Sequence, residues 1–268
     1  MHTQVSDLFD GLWNDYLHIT PSAVKIHDLL TQTTNSAHIV NDHIALRTFN
    51  LPGIGLSKLA AHFLNLGYKQ GGDYDFASKK LTAQHFEHPD PTVPKVFISE
   101  LRVDEMSQAT QSIIKDLVAQ MDTSVVTNND FLYSGTHWQV SSEQYKALLA
   151  ESEYAAWMAA WGFRANHFTV SVNHLNSVNE LSDVNELLKS AGFVLNTAGG
   201  EIKGSEEVCL AQSSTMADKA SVAFTDKTID IPSCFYEFAQ RYKQSNGEYY
   251  QGFVAASADK IFESTNVN

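Results

Sequence analysis

A chain of 268 residues, 43% of them hydrophobic, carries enough apolar material for one large domain or two closely packed halves. Its net charge of −13 repels phosphate backbones and argues against a nucleic-acid partner. No apolar run approaches the roughly 20 residues of a membrane-spanning helix, so no membrane association is expected.

The N-terminal MHTQVSDLFDGLW has no basic region followed by an apolar stretch. No signal peptide is expected, and a cytoplasmic location is. Cys209 and Cys234 form no CxxC pair and read as reduced, buried thiols.

Residues 1–35 read as two N-terminal helices. Val5, Leu8, Phe9, Leu12, Trp13 and Tyr16 recur at helical spacing. Thr20-Pro21 breaks the run, with Thr20 as a cap and Pro21 at a first helical position. A second helix continues through Val24, Ile26, Leu29 and Leu30.

A first unit follows over 41–104. Residues 41–49 alternate as a strand, with His43, Ala45 and Arg47 on one face. Leu56, Leu59, Ala60, Phe63 and Leu66 then make a helical stripe that stops at Gly67. GGDYDFAS, KLTAQHFEHP and KVFISELRV read as three short strands, with Gly71-Gly72 and Pro89–Pro94 as turns.

Residues 105–162 read as a mostly helical insertion. SSEQYKALLAESEYAAWMAAW predicts one serine-capped helix that Gly162 ends. A second unit over 163–240 repeats the first order. NHFTVSV is a strand with His167, Thr169 and Ser171 on one face, and Leu181, Val184, Leu187 and Leu188 form a helix ending at Gly192. Gly199-Gly200 is a turn, VCLAQSSTMA and ASVAFTD are strands, and Ile231–Phe238 is the last strand. A C-terminal segment, 241–268, completes the chain.

Strand, helix and three strands therefore occur twice, and such a duplication governs the whole fold. Each unit opens with a histidine, His43 or His167, and has a glutamate, Glu100 or Glu237, in its last strand. Two imidazoles and a carboxylate can hold a metal and leave open positions opposite. This is the facial arrangement of non-haem Fe(II) oxygenases, although Zn²⁺, Mn²⁺ and Ni²⁺ suit the same donors.

Arg47 lies four residues after His43, about 13 Å along the strand. Its fork suits a substrate carboxylate beside the metal, or equally a structural salt bridge. His85 and Glu87 alternate onto one strand face and His88 onto the other, which argues against a joint site. Ser213-Ser214-Thr215 reads as a pocket lining or an edge strand. No GxSxG, GxGxxG or P-loop motif is present, which weakens hydrolase-elbow and nucleotide-binding readings.

DHIALRTF, KVFISEL, NHFTV, EIKGSEEVCLAQSST and FYEFAQR together resemble the DUF1338 family, whose characterised members are 2-oxoadipate dioxygenase/decarboxylases. The resemblance covers nearly the whole chain and places it in the shorter branch of the family. It implies an α+β, vicinal-oxygen-chelate fold: two βαβββ modules forming a mixed sheet around a central metal, with extra helices at the N-terminus and between the modules.

It further implies Fe(2+) held by His43, His167 and Glu237, with Arg47 gripping a substrate carboxylate. Glu100 would then lie near the substrate or behind a ligand rather than on the metal. The implied partners are a small 2-oxo dicarboxylic acid and O₂; oligomeric state is open. The implied products are the shortened 2-hydroxy acid, 2-hydroxyglutarate, and CO₂. The alternatives are a redox-neutral metal-dependent lyase, isomerase or hydrolase on the same fold, or a non-catalytic binding protein.

Overall fold

The computed structural model describes residues 1–36 and 38–266, so the last two residues of the expected segment 241–268 lie outside it. Helix α1 (Val5–Ile19) buries Leu8, Leu12 and Tyr16, one residue per turn. Helix α2 (Pro21–Thr34) starts on Pro21, whose missing N–H costs nothing at a first helical position. Thr20 precedes it but its side chain makes no capping hydrogen bond.

The first module consists of β1 (Asn41–Phe49), α3 (Leu56–Asn65), β2 (Lys69–Phe76), β3 (Leu81–Glu87) and β4 (Lys95–Leu101). Helices α4 (Gln108–Val118), α5 (Ser142–Glu151) and α6 (Glu153–Trp161) follow. The second module is built from β5 (Ala165–Ser171), α7 (Leu181–Ser190), β6 (Lys203–Ser205) and β7 (Leu210–Ser214). A hairpin of β8 (Lys219–Ala223) and β9 (Thr228–Pro232) then precedes β10 (Phe235–Arg241), and α8 (Ala255–Ile261) lies near the end.

Eight strands form one mixed sheet in the order β2-β3-β4-β1-β5-β10-β7-β6. Each module contains one parallel pair, β1 with β4 and β5 with β10. The modules meet at the centre, where β1 and β5 run antiparallel. This is the paired-module, vicinal-oxygen-chelate-like architecture expected. Ile44, Leu46 and Ile98 are fully or almost fully buried on the face opposite His43, where α3 packs on β3 and β4.

The second half departs from expectation in register. The third sheet strand is the short β6, while ASVAFTD forms β8 of a separate two-stranded ribbon. Ile231 and Pro232 end β9, and the last sheet strand begins at Phe235. Alternation alone does not say which sheet a strand joins. Ser213 and Ser214 lie on β7, inside the sheet rather than at its edge, and bond Asn185 and Ser264.

The expected single helix over 141–161 is two helices. Ser141 forms a capping box with Gln144, and Ser152 caps α6 by accepting from the Ala155 N–H. Gly71 and Gly72 are not a turn either. They form an irregularity within β2, where a Cβ on Gly71 would lie 2.2 Å from His85 Nε2.

Gly162 ends α6 at φ 65°, ψ −142°, a conformation open essentially to glycine alone. A Cβ there would lie 2.3 Å from the Gly135 carbonyl oxygen. Gly162→Ala is expected to cost about 3 kcal/mol, read as a lower urea midpoint.

The Glu151 carboxylate accepts from the Ser107 hydroxyl and backbone N–H at the start of α4, and these bonds hold its pKa at about 2. A depressed carboxyl pKa stabilises the fold above the unfolded value and is lost as pH falls through the folded one. Glu151→Gln is therefore expected to lower the urea midpoint at pH 6, with the difference from wild type disappearing between pH 4.5 and 2.

Candidate metal centre

The central pairing brings the candidate ligands together. His43 on β1 is opposite Thr169 on β5, and Thr169 is opposite Glu237 on β10, so the three lie abreast. His167 is two residues before Thr169 and points to the same side. His43 Nε2 is 3.4 Å from Glu237 Oε1, and His167 Nε2 is 3.1 Å from Glu237 Oε2. One donor atom from each of His43, His167 and Glu237 lies within 4.8 Å of the other two.

Second partners assign the imidazole tautomers. His43 Nδ1 is 2.7 Å from Asp42 Oδ1, and His167 Nδ1 is 3.1 Å from Asn166 Oδ1. Each Nδ1 therefore carries a proton and donates it, leaving the Nε2 lone pair turned toward Glu237. Gln212 donates to Glu237 Oε1 at 2.6 Å and orients that carboxylate.

Burial, then the proximity of His43 and Arg47, hold the His167 pKa well below the usual imidazole value. Burial raises the Glu237 pKa. Burial also opposes ionisation of Asp42, but Arg241 and His43 outweigh it and keep that pKa well below the carboxylate range.

His167 Nε2 and Glu237 Oε2 are buried without a hydrogen-bond partner. Two acceptors facing each other at 3.1 Å repel unless a proton or cation lies between them. The donor set of two neutral imidazoles and one carboxylate fits a divalent transition metal. The residues present thus fit a divalent metal ion, without choosing which one.

Arg47 lines the same cavity as these three groups. Its guanidinium carbon lies 4.9 Å from the Tyr154 ring centroid, 5.0 Å from Trp157 and 5.6 Å from Phe262. One terminal nitrogen donates to Glu153 at 3.1 Å and the other to Thr265 at 3.2 Å, while the buried Nε has no partner. The salt-bridge reading of Arg47 is thus realised, and one buried donor is still left for a ligand.

Glu100 is corrected. It faces away from the cavity, and its carboxylate accepts from the Leu56 N–H at 2.7 Å, at the start of α3. In the parallel pairs, Lys95 aligns with His43 and Phe235 with His167. The first-module counterpart of Glu237 is therefore Phe97, and the apparent glutamate repeat is a register coincidence.

His85 bonds Glu87 at 2.8 Å, as strand alternation predicts. Sequence reasoning missed Asp42, Asn166, Gln212 and Glu153. Asp42 and Asn166 carry the one signal available, a polar residue immediately before each histidine; Gln212 and Glu153 have none.

Residues 14–247 match the family described as 2-oxoadipate dioxygenase/decarboxylase. A chloroplastic 2-oxoadipate dioxygenase/decarboxylase of Arabidopsis thaliana is 35% identical over 93% of this chain and 74% of its own length. The crystal structure of hydroxyglutarate synthase from Oryza sativa, in complex with 2-oxoadipate, is 34% identical with a TM-score of 0.88, covering 97% of this chain and 91% of that one. A crystal structure from Shewanella frigidimarina, described as a hydrolase, is 60% identical with a TM-score of 0.91, covering 96% of this chain and all of that one (100%). No helix among the described residues is long and apolar enough to cross a membrane. With the strand-borne His-His-Glu group and matches over most of its length, the chain belongs to the 2-oxoadipate dioxygenase/decarboxylase family.

Proposed function

We propose that this chain is an Fe(II)-dependent dioxygenase/decarboxylase converting a 2-oxo dicarboxylic acid of the 2-oxoadipate type, with O₂, to 2-hydroxyglutarate and CO₂. The reaction balances: C₆H₈O₅ and O₂ give C₅H₈O₅ and CO₂. The observation that carries the reading is one buried cavity holding His43, His167, Glu237 and Arg47 together.

His43, His167 and Glu237 would hold the metal. Bound iron would supply the O₂ activation and electron transfer that no side chain provides. Arg47, with its free Nε–H, would bind a substrate carboxylate and orient the molecule. Tyr154, Trp157 and Phe262 shield that guanidinium, and Glu153 holds it from the side away from Nε. Phe97, Phe235 and Phe253 exclude water around the ligands.

The Oryza sativa protein, a hydroxyglutarate synthase in complex with 2-oxoadipate, supports this substrate class. The hydrolase description of the Shewanella frigidimarina protein keeps redox-neutral metal chemistry as the second reading.

Anaerobic loading with Fe(II), followed by 2-oxoadipate and O₂, is expected to consume one O₂ per CO₂ released and to form 2-hydroxyglutarate by mass. No O₂ uptake with any 2-oxo acid would sink the dioxygenase reading. Arg47→Ala is expected to raise KM about 30-fold or more with iron content nearly unchanged. Glu237→Ala is expected to lose the iron.

A further inference from the structure

Behind His43 lies a second layer that the metal reading does not use. Asp42 sits where the β1–β5 pairing slips register, and its Oδ1 accepts from His43 Nδ1 at 2.7 Å. Arg241, the last residue of β10, is 5% exposed and grips both Asp42 oxygens, from Nε at 2.6 Å and from a terminal nitrogen at 2.9 Å. Its other terminal nitrogen donates to the carbonyls of Tyr250 and Gly252, both at 2.8 Å.

Those carbonyls belong to the segment that covers the metal centre. Phe253, the next residue, donates its N–H to the Tyr74 hydroxyl at 3.0 Å. Its ring stands edge-on to His43, with centroids 4.7 Å apart, and under the Arg241 guanidinium at 5.3 Å. Further along, Ile261 and Phe262 close the cavity on the Arg47 side.

The cavity enclosed is about 30 Å³, room for one or two waters. Small-molecule sites run from about 300 Å³ upward. A dicarboxylic acid therefore needs part of this wall to give way, and the C-terminal strap, which supplies Phe253, Ala258, Ile261 and Phe262, is the part of the lining that lies outside the sheet.

We infer that Asp42 and Arg241 are a positioning pair that couples metal binding at His43 to closure of the strap over residues 250–262. The inference rests on the metal reading above. One guanidinium touches the carboxylate that orients His43 and the two carbonyls that anchor the strap. A cation on Nε2 polarises the imidazole and strengthens its Nδ1–H bond to Asp42. That fixes Asp42, hence Arg241, hence the strap. By linkage, an ordered strap must then favour metal binding by the same factor.

Amide hydrogen exchange on the metal-free wild-type protein, with and without Co(II), tests this directly. Co(II) is expected to slow exchange at Gly252 and Phe253 about fivefold or more. The variant Asp42→Asn/Arg241→Met removes both charges together and leaves no unpaired buried ion, so it is expected to fold. Its Co(II) affinity, measured by competition with a chromophoric chelator, is expected to fall about 10- to 100-fold, with no Co(II)-dependent slowing in the strap.

A purely structural ion pair would leave the Co(II) affinity of the folded double variant within twofold of wild type, and that result would overturn the inference. So would a wild-type strap whose exchange ignores Co(II), or slowing that persists in the double variant. A wild-type strap that ignores Co(II) overturns the inference whether or not the variant folds. Failure of the wild-type protein to take up one Co(II) would instead overturn the metal reading, and the coupling with it.

Discussion

Antiparallel pairing of β1 with β5 is the constraint on which the rest of the molecule depends. It joins the two modules through backbone hydrogen bonds and places His43 opposite Thr169, with Glu237 one strand further on. Side chains alternate with a period of two, so a slip of one residue on either strand would turn a ligand to the helix-covered face. Burial of Ile44, Leu46, Phe168 and Val170 on that opposite face opposes such a slip. The hydrophobic effect, acting on residues that never touch the site, therefore sets the geometry of the residues that do.

The site is expensive to build. His43, His167, Glu237, Asp42, Arg47 and Arg241 are all less than a tenth exposed. Isolated buried charges are among the costliest features a fold can contain, and they persist only when paired. Here the pairing is divided. Arg241 neutralises Asp42 and Glu153 neutralises Arg47, while His167 and Glu237 are pushed by burial toward their uncharged forms. What is left unsatisfied, His167 Nε2 facing Glu237 Oε2, is a place where a cation relieves repulsion rather than creates it.

The closed cavity and its aromatic walls answer a related demand. Oxidative chemistry beside water and free solutes is wasteful, and a site roofed by Phe253 and Phe262 keeps both out. The same enclosure excludes substrate, so residence and entry conflict. The roof is drawn from the C-terminal segment outside the sheet, which buries Phe253 and Ile261 and is tied down by hydrogen bonds from Arg241 and Asn196 to its backbone carbonyls rather than by strand pairing. Segments of that kind open at lower free energy than sheet strands.

The helix stops at Gly67, Gly162 and Gly192, the start at Pro21 and the alternation over 41–49 were legible because each depends on neighbours in sequence. The helix restart at Ser152 was written in a local cap and overlooked. Glu100 misled because a strand shows which residues share a face but not which strand position matches its counterpart in the other module. The duplicated strand–helix–strands order, the two histidines and the position of Arg47 beside His43 were determined by sequence alone, since period and spacing are local properties, whereas the choice of Glu237 over Glu100 came from the family resemblance. Only the tertiary structure decided that Phe97 rather than Glu100 answers Glu237, that Glu153 takes one side of Arg47, and that Asp42, Arg241 and the C-terminal strap meet behind His43. Asp42 and Arg241 lie 199 residues apart in sequence, and no local pattern records which distant groups a closed sheet and its covering segment bring into contact.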